Sequence, residues 1–253
     1  MSMQELTRNQ VRVFLPEGGN AEQAALLAER LQTELVTEIE TGELCLRADA
    51  LGLSLTDGTL SLSVDFSQER KRLSVGNLQR EMLVKACRIK GQEHTDVLDA
   101  TAGLGEDSIL LAASGFAVNL YEYNPIIFAL LKDGLLRASA VAELAETVGR
   151  MTLHEEDSIL AMRNLAEAPD VVLLDPMFPQ RQKSALVKKK FQLLQRLESP
   201  CSDGAELLQA AVDASPKKIV IKRPIKGEYL AGKKPDYSLE GKAIRYDCFV
   251  FAR

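Results

Sequence analysis

The stretch Thr95–Asp107 constrains this chain more than any other. Thr95 to Asp99 is a short apolar run closed by an acid, Ala100 to Gly105 is a turn of small residues, and Ser108 to Ala113 begins an amphipathic helix. Gly103 and Gly105 stand in the turn, where a side chain would block a ligand or demand unfavourable backbone angles. A strand–turn–helix of this kind lies where an α/β sheet receives a nucleotide-like ligand. Many βα turns use glycine for shape alone, so the turn by itself leaves the choice open.

The rest of the C-terminal part repeats the pattern. Phe116–Tyr121 is an apolar run ending at Glu122, and Pro125 suits the first turn of a following helix. Met151–His154 comes next, then Glu155 to Ser158. Val171–Leu174 ends at Asp175, and its four consecutive apolar residues suit a strand buried on both faces. Lys218–Ile221 ends at Lys222-Arg223-Pro224, and Tyr246–Phe251 reads as a last strand. Strands alternating with helices imply an α/β fold with a mostly parallel sheet.

Residues 1–75 read differently, as a small α+β domain ahead of a Rossmann-like domain over 76–253. Val11–Leu15 alternates as a strand does. Asn20 is placed to cap a helix over Ala21–Gln32 with Ala24, Leu27, Ala28 and Leu31 on one face. Glu43–Arg47, Leu51–Leu55 and Leu60–Phe66 alternate apolar and polar, and Asp57-Gly58 signals a hairpin, so antiparallel strands are expected. The spacing predicts one further helix over Leu78–Ile89, within a basic bridge of Arg70, Lys71, Arg72, Arg80, Lys85, Arg88 and Lys90.

Composition removes several function classes. The chain has 253 residues, of which 46% are hydrophobic, enough for a substantial core. No apolar run is long enough to span a membrane, and the polar start MSMQELTRNQ predicts a cytoplasmic protein. Four scattered cysteines, no CxxC pair and two histidines argue against a metal site and for reduced thiols. A net charge of −5 disfavours nucleic-acid binding over the whole surface but allows a local basic patch. With no Trp and few aromatics, an open stacking platform for single strands is not expected.

Functional groups of such a sheet gather at the C-terminal strand ends. Those ends carry Asp99, Glu122, Asp157 and Asp175. Glu122 lies 17 residues after Gly105, placed to accept the two hydroxyls of a ribose. Asp157-Ser158 can take the exocyclic amine of an adenine, and Asp157 is equally a good helix cap. Asp175-Pro176-Met177-Phe178-Pro179 is the sharpest signal. Two prolines make a rigid turn, and a carboxylate with a fixed carbonyl can orient a conjugated exocyclic amine for attack while Phe178 stacks on its base. Arg181, Lys183, Lys188 and Lys189 follow, and Lys217, Lys218, Lys222, Arg223 and Lys226 form a second basic group. Positive charge around one mouth of an acidic protein points to a phosphate-bearing substrate.

Taken together, DATAGLGED, LYEYNP, LLDPMFPQRQKSALVKKK and VIKRP resemble the RsmJ family of bacterial 16S ribosomal RNA guanine-N2 methyltransferases. The resemblance spans about residues 60–253 and is most specific in DPMFP and KSALVKK. It implies a class I Rossmann-like sheet of seven strands, S-adenosylmethionine as methyl donor, and a guanine N2 amine of 16S rRNA in the small ribosomal subunit as acceptor. By position it implies cofactor contacts at Glu106-Asp107, Glu122-Tyr123, Asp157-Ser158 and Asp175, beside the loop residues Asp99, Gly103 and Gly105. Asp175, Pro176 and Phe178 would serve the acceptor, with Arg181, Lys183, Lys188, Lys189, Lys222 and Arg223 on RNA and no metal. Two other readings stand beside it. An NAD-dependent dehydrogenase would use the glycine turn, although Ser108 stands where its third glycine belongs. A non-catalytic ribosome-assembly factor would keep the fold for RNA binding alone.

Overall fold

The computed structural model describes residues 11–176, 192–197 and 204–251. They form two compact units: 11–65 with 124–137 and 192–197, and 66–123 with 138–176 and 204–251.

The first unit carries a five-stranded sheet in the order β2-β1-β3-β4-β5. β1 is Arg12–Phe14, β2 Leu35–Val36, β3 Cys45–Asp49, β4 Gly52–Thr56 and β5 Ser61–Leu62. The helix Ala21–Leu31 buries Ala24, Leu27, Ala28 and Leu31, and Asn20 caps it by accepting from the Gln23 N–H at 3.0 Å. This is the face and the cap that the apolar spacing predicts. The sheet is mixed rather than antiparallel. β3–β4 and β4–β5 are antiparallel, but β1 runs parallel to both β2 and β3. The reason is β2: its two residues are too few to show alternation, and the helix before it supplies the crossover a parallel pair needs.

The helix Pro125–Ser139 contributes most of its length to this same unit. Asp133 is buried and accepts from Leu53 N at 3.0 Å, Gln23 Nε2 at 3.2 Å and Arg137 Nε at 2.8 Å. Arg137 also donates to the Val64 carbonyl. Gly134 lets the helix approach closely, since a Cβ there would lie 2.4 Å from Val64 Cγ1.

The second unit holds a seven-stranded sheet in the order β11-β12-β10-β9-β6-β7-β8. β6 is Asp96–Asp99, β7 Ala117–Tyr121, β8 Met151–His154, β9 Val171–Leu174, β10 Lys218–Pro224, β11 Tyr237–Glu240 and β12 Ile244–Val250. β8, β7, β6, β9 and β10 are parallel. β12 is antiparallel to β10, and β11 to β12. All four residues of β9 are buried, as the unbroken apolar run requires. Leu98, Val172, Leu174, Ile219 and Ile221 pack in one core with Leu207, Leu208 and Ala211 of the helix Gly204–Asp213. The helix expected over Leu78–Ile89 is two short ones, Val75–Leu78 and Met82–Cys87. The break falls at Glu81, whose backbone is extended and whose carboxylate takes the Arg72 guanidinium at 2.7 and 3.1 Å. β11 escapes sequence reading because it is a short, half-exposed edge strand.

Strand order fixes the place of chemistry. From β6 the chain winds outward through β7 and β8, then returns to β9 on the other side of β6. The strand order therefore reverses between β6 and β9, and the crevice beyond their C-terminal ends is the ligand position of such a sheet.

Candidate active site

Register brings the two key turns together. Asp99 of β6 pairs with Leu173 of β9, so the residues just beyond them meet. Ala100 N donates to Leu173 O at 3.0 Å, and Asp175 N donates to Thr101 Oγ1 at 2.6 Å. Across β9 the register pairs Ile221 with Leu174, which puts Lys222 beside Asp175, and β12 places Tyr246 opposite Lys222.

The glycine turn needs its glycines for backbone angles. Gly103 has φ +52° and Gly105 φ +76°, both left-handed. The Gly103 N–H donates to Glu122 Oε2 at 3.1 Å, so the acid ending β7 is fastened to the turn. Asp99 faces inward. Its oxygens accept from Ser108 Oγ at 2.5 Å and Thr101 N at 3.1 Å, and burial pushes its carboxyl up to about 6. Asp99 thus braces the turn that Gly103 and Gly105 shape. Glu106 is exposed in the first turn of the helix Glu106–Ala113, and Tyr123 is partly exposed after β7. Asp157 caps the helix Ser158–Arg163 by accepting from Ile159 N at 2.8 Å and Leu160 N at 3.3 Å, both through Oδ1.

Asp175 closes β9 in front of the buried Pro176. Burial raises its carboxyl, and Lys222 opposes that rise. Lys222 Nζ lies 2.7 Å from Asp107 Oδ2 and 3.0 Å from Asp175 Oδ2. Burial alone would weaken the ammonium, but the two carboxylates outweigh it and hold Lys222 protonated. Below this end of β10, Arg245 pairs with Asp247 at 2.8 and 3.1 Å and donates to the Pro224 and Ile225 carbonyls.

The described basic groups do not all gather at one end of the sheet. Lys222 is tied to two acids of the site, and the buried Arg223 donates to the Glu228 carbonyl. Lys217 pairs with Asp170 at 2.8 Å, and Lys218 is buried with its Nζ on the Ala86 and Arg88 carbonyls. Both sit at the opposite end of β10. A linear sequence shows a cluster of lysines but not that a strand of this length separates their charges. In the bridge, Arg70 pairs with Glu143 and Arg72 with Glu81. Met177, Phe178, Arg181, Lys183, Lys188 and Lys189 lie outside the described residues. Sequence reading missed Thr101, Ser108 and Tyr246. The first two are ordinary small polar residues: the β6–β9 register shows that Thr101 holds Asp175, and the fold of the turn shows that Ser108 holds Asp99.

The family described as "Putative SAM-dependent methyltransferase" matches residues 26–251. Ribosomal RNA small subunit methyltransferase J of Thioalkalivibrio sulfidiphilus is 41% identical over 238 residues, covering 90% of this chain and 93% of the relative. The protein of the same name from Pseudomonas aeruginosa is 42% identical over 242 residues, with 91% of each covered. The chain belongs to the ribosomal RNA small subunit methyltransferase J family. A solved structure of a SAM-dependent methyltransferase from Neisseria gonorrhoeae matches with a TM-score of 0.71 at 30% identity, covering 94% of this chain and 95% of that one.

Membership in the methyltransferase J family makes the chain an S-adenosylmethionine-dependent enzyme with a Rossmann-like sheet. The donor set fits that cofactor. Glu122, Asp107 and Asp175, the last two sharing Lys222, leave the crevice with more negative than positive charge, which suits a ligand with a sulfonium and an ammonium. Ser108, fully buried against Asp99, fills the place of the third dinucleotide glycine. These two features set aside the dehydrogenase reading. Glu122 and Asp157, after successive strands, would hold the nucleoside, and the Gly103–Gly105 turn the methionine end. Among the described residues no group of three or more His, Cys, Asp or Glu could hold a metal, and no helix is long and apolar enough to cross a membrane. Cys45, Cys87 and Cys248 are free, buried thiols.

Proposed function

We propose that this methyltransferase transfers a methyl group to the exocyclic N2 amine of a guanosine in 16S rRNA of the small ribosomal subunit. The name borne by its relatives, ribosomal RNA small subunit methyltransferase J, supports small-subunit rRNA as the substrate class. The observation that carries the amine chemistry is Asp175, held by its own N–H on Thr101 and partly open on its carboxylate face.

The bound cofactor supplies an electrophilic methyl group on a sulfonium, with the electron pair of the broken C–S bond staying on sulfur. Asp175 Oδ accepts one N–H of the amine, and the rigid Pro176 carbonyl accepts the other. These contacts rotate the nitrogen lone pair out of conjugation and toward the methyl group. As the N–C bond forms, nitrogen gains positive charge that the carboxylate stabilises, and the proton it sheds passes to Asp175. Phe178 stacks on the base, and Arg181, Lys183, Lys188 and Lys189 contact phosphates. Asp99, Gly103, Gly105, Glu106, Asp107, Glu122, Tyr123, Asp157 and Ser158 hold the cofactor. A cytoplasmic location belongs to the same reading.

Mass mapping of 16S rRNA tests it. Cells lacking the gene should lose one N2-methylguanosine, restored by this chain and not by its Asp175→Asn variant. An unchanged methylation map in those cells would overturn the proposal.

A further inference from the structure

Lys222 was expected on RNA, yet its ammonium lies between two acids from separate segments. Asp107 belongs to the first turn of the helix that follows the glycine turn, and Asp175 ends β9. The Asp107 side chain is 14% exposed and that of Asp175 41%, so Lys222 has one sheltered anchor and one partner open to the crevice. Tyr246 flanks it on β12 and has its hydroxyl proton held more firmly by burial and by Asp107. The Arg245–Asp247 pair fixes the strand end that carries Lys222. A lysine held from both sides has little of the rotational freedom that makes exposed ion pairs weak.

We propose that Lys222 is a positioning residue for methyl transfer: bridged to Asp107, it holds the Asp175 carboxylate aimed at the acceptor amine. The inference rests on the reading of Asp175 as the amine acceptor. It gives the bridge two consequences. The carboxylate oxygen held by Lys222 is fixed, which leaves the other to meet the incoming N–H. The acceptor geometry is also coupled to the cofactor turn, since Asp107 moves with the helix Glu106–Ala113.

Electrostatics supplies a readout that a merely structural role would not move. The groups facing Asp175 are Lys222 and Arg223, which favour its ionised form, Asp107, which with burial disfavours it, and the buried Asp99 and Tyr246, whose negative forms would oppose it as well. Removing the ammonium removes a lowering influence, so the carboxyl holds its proton to higher pH. The acid limb of the single-turnover rate then shifts upward.

The test uses the full chain, saturating S-adenosylmethionine and small subunits from cells lacking the gene. Lys222→Met should lower the single-turnover rate about 100-fold and move the acid limb up by about one pH unit. Lys222→Arg, which keeps the charge, should recover part of the rate with an acid limb near that of the wild type. Asp107→Asn, which loosens the anchor but leaves the ammonium, should lower the rate less than Lys222→Met. A Lys222→Met rate within threefold of wild type, or a lower rate with an unmoved acid limb, overturns the proposal. Should Lys222→Met fail to fold, Lys222→Arg and Asp107→Asn decide on the same two readouts: both at the wild-type rate overturns it. Wild-type protein that methylates no guanine N2, or an Asp175→Asn variant at full rate, would instead overturn the reading of Asp175.

Discussion

Asp133 and Asp175 are both carboxylates drawn out of water beside a cation, and their oxygens are satisfied to different degrees. Asp133, in the first unit, accepts from a backbone N–H, an amide and a guanidinium, and its side chain is only 5% exposed. Asp175, in the second, meets Lys222 through one oxygen and keeps 41% of its side-chain surface. A structural acid spends its lone pairs on its own chain. An acid meant for a ligand is braced on one side and left open on the other. Burial alone does not separate the two cases; the count of satisfied oxygens does.

That contrast can be broken by exchange of roles. Asp175→Asn should cost about 100- to 1,000-fold in single-turnover rate while the melting temperature stays within a few degrees of wild type. Asp133→Ala should do the reverse. It strands the Leu53 N–H and leaves the Arg137 guanidinium without its carboxylate, for a loss of about 3–5 kcal/mol in a denaturant titration, with the rate of the folded fraction unchanged. If Asp133→Ala instead lowered the rate of folded protein as far as Asp175→Asn, the division between the two acids would fail.

Asp99 lies between these extremes: fully satisfied, yet inside the site. Its carboxyl is raised by burial from 3.8 to about 6, so the folded state binds the proton more tightly than the unfolded one. The stability this gives is complete below the unfolded value and is lost as pH rises through about 6. The contribution is about 3 kcal/mol between those limits. Thermal melts from pH 4 to 7 should show Asp99→Asn lacking that slope; an identical slope in both proteins would remove Asp99 as its source. The smallest expected effect lies far from any chemistry. Asn20→Ala removes the cap of Ala21–Leu31 and should cost about 1 kcal/mol in the same denaturant titration, with no change in rate.

Much of the fold was legible because local patterns carry it. β8 and β9 fall on Met151–His154 and Val171–Leu174, where the apolar runs put them, and the Asn20 and Asp157 caps come from residues a few positions away. The glycine turn and the acids at the strand ends were legible for the same reason. β2, β11, the split near Glu81 and the parallel pairing of β1 were not, because each rests on a short segment or a distant partner. The site divides along the same line. The sequence by itself determined that a glycine turn follows one strand and an Asp175 turn another, since spacing and residue type suffice for both. Only the tertiary structure decided that Thr101 holds the Asp175 backbone, that Asp99 braces the glycine turn through Ser108 and Thr101, and that Lys222 bridges two acids from separate segments. The physical reason is register: residues over 40 to over 100 positions apart become neighbours when parallel strands align, and no local pattern encodes that alignment.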